Sequence, residues 1–107
     1  MSTPDWKKVA AEAIEGWSIW EVQMFDEDGP TRHLVGWCRD VHRGARVSSE
    51  IAAFDTATRR VLTRSGRVYV LDGPPGFLPD ARYTWETWLA NYQATVLREL
   101  THELMPE

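Results

Sequence analysis

From Ser18 to Asp72 apolar and polar residues alternate at a period of two, interrupted by clusters of Gly, Pro and Asp. Such alternation marks strands with one buried face, and the interruptions mark turns. In a first strand, Ser18–Phe25, the residues Trp20, Val22 and Met24 share a side opposite Glu21 and Gln23. Asp26-Glu27-Asp28-Gly29-Pro30 turns the chain into a second strand, Arg32–Arg39, where His33, Val35, Trp37 and Arg39 lie opposite Leu34, Gly36 and Cys38. Beyond a loop at Asp40–Ala45, Arg46–Phe54 reads as a third strand with Val47, Ser49, Ile51 and Ala53 on one face. Asp55-Thr56-Ala57-Thr58 reads as a turn, and Arg60–Arg64 with Arg67–Asp72 as a tight hairpin around Ser65-Gly66. Gly73-Pro74-Pro75-Gly76 ends the series, because proline cannot donate to a sheet ladder.

The period changes on either side of this run. Trp6, Val9, Ala10, Ala13, Ile14 and Trp17 form a stripe at helical spacing, with Thr3 as N-cap, Pro4 at the first position and Gly16 as terminator. The spacing predicts a helix over 4–16. Asp80 begins a second stripe, Ala81, Trp85, Trp88, Leu89, Tyr92, Val96, Leu100 and Leu104, which predicts a helix over 80–105. Unbroken, it would be about 39 Å long at 1.5 Å per residue. Five strands span only about 20 Å. Leu97, Leu100 and Leu104 are therefore expected to overhang the sheet and to offer a contact to a second copy, a homodimer. The expected fold is α+β, one domain over 1–107, with an antiparallel sheet of about five strands (18–72) and both helices packed on one face.

At 107 residues there is room for one core, large enough to form without disulfides or metal. The single cysteine, Cys38, fits a reducing compartment, no apolar run is long enough to span a membrane, and the N-terminus lacks the layout of a signal peptide. A cytoplasmic protein is expected. Six tryptophans are many for this length, enough to anchor the core and leave one or two for an interface.

Charge is segregated. Residues 1–31 carry seven acids against two Lys, residues 32–67 eight Arg against three acids, and residues 68–107 two Arg against six acids, for a net charge of −4. That total argues against a simple nucleic-acid coat. The basic middle is another matter. Arg39, Arg43, Arg46, Arg59, Arg60, Arg64 and Arg67 fall on adjoining strands and loops with Trp37 and Tyr69 close in sequence, and arginine forks beside aromatic faces grip single-stranded nucleic acid. Because strands alternate, some of these arginines are expected to pair with Glu50, Asp55 or Asp72.

No other constellation carries chemistry. Cys38 and His42 have metal-ligand spacing, with His33 not far away, but nothing completes a zinc set, and Cys38 reads as a small buried apolar residue. Asp40 and His42 lack a nucleophile in a suitable setting, and His102 suits a helix C-terminus. The Gly-Pro-Pro-Gly run lacks the Lys-Ser/Thr of a phosphate loop. Asp26-Glu27-Asp28 is too short for a calcium loop but suits a basic surface on a partner. No cofactor, metal site or catalytic residue is expected, and an enzyme is not.

Several runs carry a resemblance: His33-Leu34-Val35-Gly36-Trp37; Ser49-Glu50-Ile51 with Phe54-Asp55-Thr56-Ala57-Thr58-Arg59; Thr63-Arg64-Ser65-Gly66-Arg67-Val68-Tyr69; Leu71-Asp72-Gly73-Pro74-Pro75-Gly76; and Tyr83-Thr84-Trp85-Glu86-Thr87-Trp88. In these the chain resembles a loose family of small uncharacterised proteins borne by phages, plasmids and integrated elements of proteobacteria. The runs are structural and span a little over half the chain. Small acidic proteins of such elements include anti-CRISPR proteins. The resemblance implies a non-enzymatic inhibitor that binds a host defence or nucleic-acid-handling protein, such as a CRISPR–Cas component. Asp26, Glu27 and Asp28 with Arg43, Arg46, Arg64 and Arg67 are the expected partner-binding residues. The alternative is a single-stranded nucleic-acid module that uses the arginine and aromatic region.

Overall fold

The computed structural model describes residues 5–40 and 43–104. The chain is α+β: among the described residues seven strands form one mixed sheet, with two short helices late in the sequence. The strands are β1 (Glu12–Gln23), β2 (Thr31–Cys38), β3 (Gly44–Val47), β4 (Ile51–Asp55), β5 (Arg60–Thr63), β6 (Val68–Asp72) and β7 (Thr95–Glu99). The helices are α1 (Pro79–Asn91) and α2 (Thr101–Leu104).

β1 organises the molecule. Along one edge it pairs antiparallel with β2. Its other edge is shared, the first half running parallel to β6 and the second half antiparallel to β7. The order is β3-β2-β1-β6-β5-β4, with β7 beside β1 off that path. The two outer strands, β3 and β4, are separated by three residues, Ser48–Glu50. Six flat strands would hold those edges about 24 Å apart, farther than so short a link can reach, so the sheet curls until its edges approach. Backbone bonds clamp the link at both ends: Ser48 N–H donates to Leu34 O at 2.8 Å, and Arg64 N–H donates to Glu50 O at 2.8 Å.

Curling leaves an inner and an outer face. Ile14, Trp17, Ile19, Leu34, Cys38, Val61, Tyr69, Leu71 and Leu100 fill the inside, with Ile51 and Phe54 packed against them. Outside, Val22, Val35, Ala81 and Trp85 form a second core beneath α1, joined by Trp20, Phe77, Trp88 and Leu89. Gly36 fits the tight inside: a Cβ there would lie 2.7 Å from Ile14 Cγ1 and 3.0 Å from Glu15 O. Leaving the sheet, Gly76 N–H donates to Trp17 O at 2.9 Å, and the Trp17 indole N–H donates to Gly73 O at 3.0 Å.

Several expectations are corrected. The predicted helix over 4–16 does not form; from Glu12 onward the chain is β1, and the part of the prediction at residues 1–4 lies outside the described residues. A register shift between Glu15 and Ser18, with Gly16 at φ +53°, moves the inward residues from position 14 to 17 and 19. That bulge inserts one residue and imitates helical spacing. The sheet has seven strands among the described residues, not about five, and it is mixed, because β1 and β6 run parallel. The predicted strand Arg46–Phe54 is two strands on opposite edges, parted where the Ser48 hydroxyl accepts from Leu34 N–H at 2.9 Å.

The predicted helix over 80–105 is broken as well. α1 stops at Asn91; Gln93 takes φ +47° and Ala94 N–H donates to Leu89 O at 2.9 Å, turning the chain back into β7. Its remainder is β7 and the one-turn α2, and Met105 lies outside the described residues. Only α1 packs on the outer face, so two helices on one face is not the arrangement. Leu100 is 1% exposed, which removes it from any dimer contact; Leu97 is 48% exposed on β7, and Leu104 ends α2. None of the helices among the described residues is long and apolar enough to cross a membrane.

Candidate binding groove

α1 places Trp85, Trp88 and Tyr92 along one line. Trp85 stacks on Trp88 at 5.3 Å and 13°, and Trp88 meets Tyr92 at 4.9 Å. At the buried end of the line Trp20 meets Trp85 at 5.7 Å and Phe77 at 5.4 Å. The ladder begins buried and ends at Tyr92, which is 51% exposed.

At its open end lies a groove of about 400 Å³. Trp88 and Tyr92 form one wall, Met24, Glu27, Thr31 and His33 another, and the β3–β4 link with Val47, Ser48, Ser49 and Glu50 a third, with Arg64 alongside. His33 is 3% exposed and packs on Trp88 at 4.6 Å. Its Nδ1–H donates to Ser48 O at 2.9 Å, since a carbonyl can only accept, and Nε2 then accepts from the Thr31 hydroxyl at 2.8 Å. Burial pushes the imidazole below its ordinary range, more than the Ser48 bond and the charges of Glu50 and Glu27 raise it. His33 is thus a neutral staple between β2 and the β3–β4 link, with both nitrogens satisfied. Glu27, Glu50 and Arg64 differ: among the described residues their side chains make neither a hydrogen bond nor an ion pair.

An adjoining cleft of about 260 Å³ shares Val47, Ser48 and Ser49 with the groove and adds Arg46, Ser65, Arg67 and Tyr69. Ser49 Oγ donates to Ser65 Oγ at 3.1 Å, and Arg46 donates to Glu12 at 3.3 Å and to Tyr69 OH at 3.4 Å.

The arginine block is thereby sorted. Arg39 bridges Glu15 at 3.4 Å and Asp72 at 2.9 Å, Arg46 is held by Glu12, and Arg60 donates to Val9 O. Arg59, at φ +57°, donates to Leu71 O and Gly73 O and lies 5.8 Å from the Trp17 ring centroid. These four are structural. Arg43, Arg64 and Arg67 are exposed and have no ion pair among the described residues. Of the expected acid partners, Asp72 meets Arg39, Asp55 instead caps its own turn at Thr58, and Glu50 pairs with no arginine among the described residues.

Asp26, Glu27 and Asp28 are exposed at the β1–β2 hairpin tip beside Phe25, which is 81% exposed. Glu27 alone of the three lines the groove. Sequence reasoning passed over Phe25, although an aromatic set against three acids was a visible signal; it also gave His33 and Glu50 no binding role. Cys38 is fully buried, and burial pushes its thiol up to about 11; its spacing partner His42 lies outside the described residues. Among the described residues no group of three or more His, Cys, Asp and Glu is placed to hold a metal ion. Compared with known proteins, the chain matches no family model, no curated protein and no solved structure.

Proposed function

We propose that this chain is a non-enzymatic binding protein that covers a basic surface of a nucleic-acid-handling protein, in the manner of mobile-element inhibitors such as anti-CRISPR proteins. The observation that carries the reading is the hairpin tip: Phe25, 81% exposed, flanked by Asp26, Glu27 and Asp28. A lone aromatic anchor ringed by like charge suits insertion into an apolar pocket on a cationic partner. The ring would supply the contact energy, and the carboxylates would speed encounter and reject acidic surfaces. Against CRISPR effector complexes, the chain should displace target DNA. Phe25→Ala should weaken that displacement by about 30-fold, as loss of a hot-spot aromatic does. Undiminished target binding by every effector type tried refutes the CRISPR form of the reading, and an unaffected Phe25→Ala refutes the tip.

A second reading, single-stranded nucleic-acid binding, draws on Arg64 and Arg67, which flank the Ser65-Gly66 turn without ion pairs among the described residues. It requires binding that falls steeply with salt and weakens in Arg64→Ala and Arg67→Ala, read by anisotropy of a labelled oligonucleotide.

A further inference from the structure

The groove beside Tyr92 has an unusual balance of charge. Glu27 and Glu50 both act on His33, and within the described residues neither has an ion-pair partner. His33 itself is neutral and committed to Ser48 and Thr31. Arg64 supplies one positive charge on the same lining, leaving the groove net negative by one. The part of the lining that α1 supplies is aromatic, Trp88 and the half-exposed ring of Tyr92. Carboxylates next to an exposed aromatic ring are the setting in which a guanidinium or ammonium group is held, by ion pairing and by the negative face of the ring. A polyanion would meet two carboxylates here against one arginine.

We propose that this groove receives an arginine or lysine side chain from a segment of the protein partner. The inference rests on the reading of the hairpin tip as a surface for a basic partner, and deepens it. Glu27 belongs both to that tip and to the groove, so one basic segment can engage Phe25 outside and place a cationic side chain between Glu50 and Tyr92. Arg64 then works against binding and gives the test its sign.

The experiment titrates the full chain into a fluorescein-labelled peptide of alternating Arg and Gly at low salt, read by anisotropy. Unlabelled argininamide and a labelled single-stranded oligonucleotide form parallel arms. The peptide should bind, Glu50→Gln should weaken it by about five-fold, and Tyr92→Ala by about three-fold. Arg64→Ala should tighten it. Circular dichroism of each variant verifies that it is folded. Peptide affinity unmoved by Glu50→Gln and Tyr92→Ala overturns the groove; if Phe25→Ala alone reduces it, the tip reading survives without the groove. The opposite pattern retires the tip and keeps the groove, and no peptide binding at all removes both. Weakening by Arg64→Ala, or oligonucleotide binding that strengthens in Glu50→Gln, overturns the cationic ligand in favour of an anion. Argininamide binding as tightly as the peptide overturns the partner segment in favour of a small-molecule site.

Discussion

His33 shows how one residue joins packing to pH. Its ring is wedged against Trp88 while its two nitrogens tie Ser48 to Thr31. Because burial favours the neutral form, the folded value lies below the ordinary 6.5, and the unfolded chain takes up a proton first as the pH falls. Stability is therefore full above about pH 6.5, declines as the pH drops from there toward the folded value, and stops declining from this source below it. Thermal melts between pH 7.5 and 5 should show a falling midpoint, and His33→Asn should flatten that slope while lowering the midpoint at pH 7.5. A wild-type midpoint that rises on acidification would contradict the assignment. Glu21 has the same sign for a different reason. Burial raises its carboxyl, but its hydrogen bonds and attraction to Arg32 and Arg98 more than reverse this, so its contribution is lost only at lower pH.

At the scale of elements, the turn after α1 decides how the residues beyond Asn91 are used. Gln93 holds a left-handed backbone at φ +47°, a conformation that costs a side-chain-bearing residue about 1 kcal/mol and glycine almost nothing. Gln93→Gly should raise stability by up to about 1 kcal/mol in chemical denaturation, whereas within a continuous helix the same change would lower it by about as much. That choice was not legible from periodicity. Val96, Leu100 and Leu104 continue the spacing of Trp85, Trp88 and Tyr92, and only the β-branched pair Thr95-Val96 hints at a strand. The bulge at Gly16 hid β1 in a similar way, by placing Ile14 and Trp17 three apart. Where the register is regular, as in β2 and the β5–β6 hairpin, alternation and turn residues marked the elements to within a residue or two. Of the groove, the acidic turn, Arg64 and the Trp85–Trp88–Tyr92 line could be read in advance. Their convergence with Glu50 could not, because it depends on the β3–β4 link crossing between the two edges of a curled sheet.

Across the whole molecule, the late segment completes the inner core. Leu100 shares the inner cluster with Ile14, Trp17, Ile19 and Leu34, all from the first third of the sequence. Leu100→Ala should cost about 2–5 kcal/mol, while Leu97→Ala, on the exposed strand nearby, should stay within about 0.5 kcal/mol. Equal effects in urea titrations would mean that Leu100 is not the plug described. The placement of charge is also a property of the whole: four of the seven central arginines are spent on internal bonds, so the basic middle of the sequence does not become an equally basic surface.

The sharing of β1 between β6 and β7 bears on biosynthesis. Ile19 sits early in the chain, yet its backbone N–H donates to Thr101 Oγ1 at 3.0 Å and its carbonyl accepts from Leu100 N–H at 2.7 Å. While residues 95–101 are still inside the ribosome, whose exit tunnel encloses them, the middle of this strand has only β2 to satisfy it. A nascent chain stalled before that point should stay sensitive to protease, and native structure should appear only when residues 95–101 emerge and dock on β1.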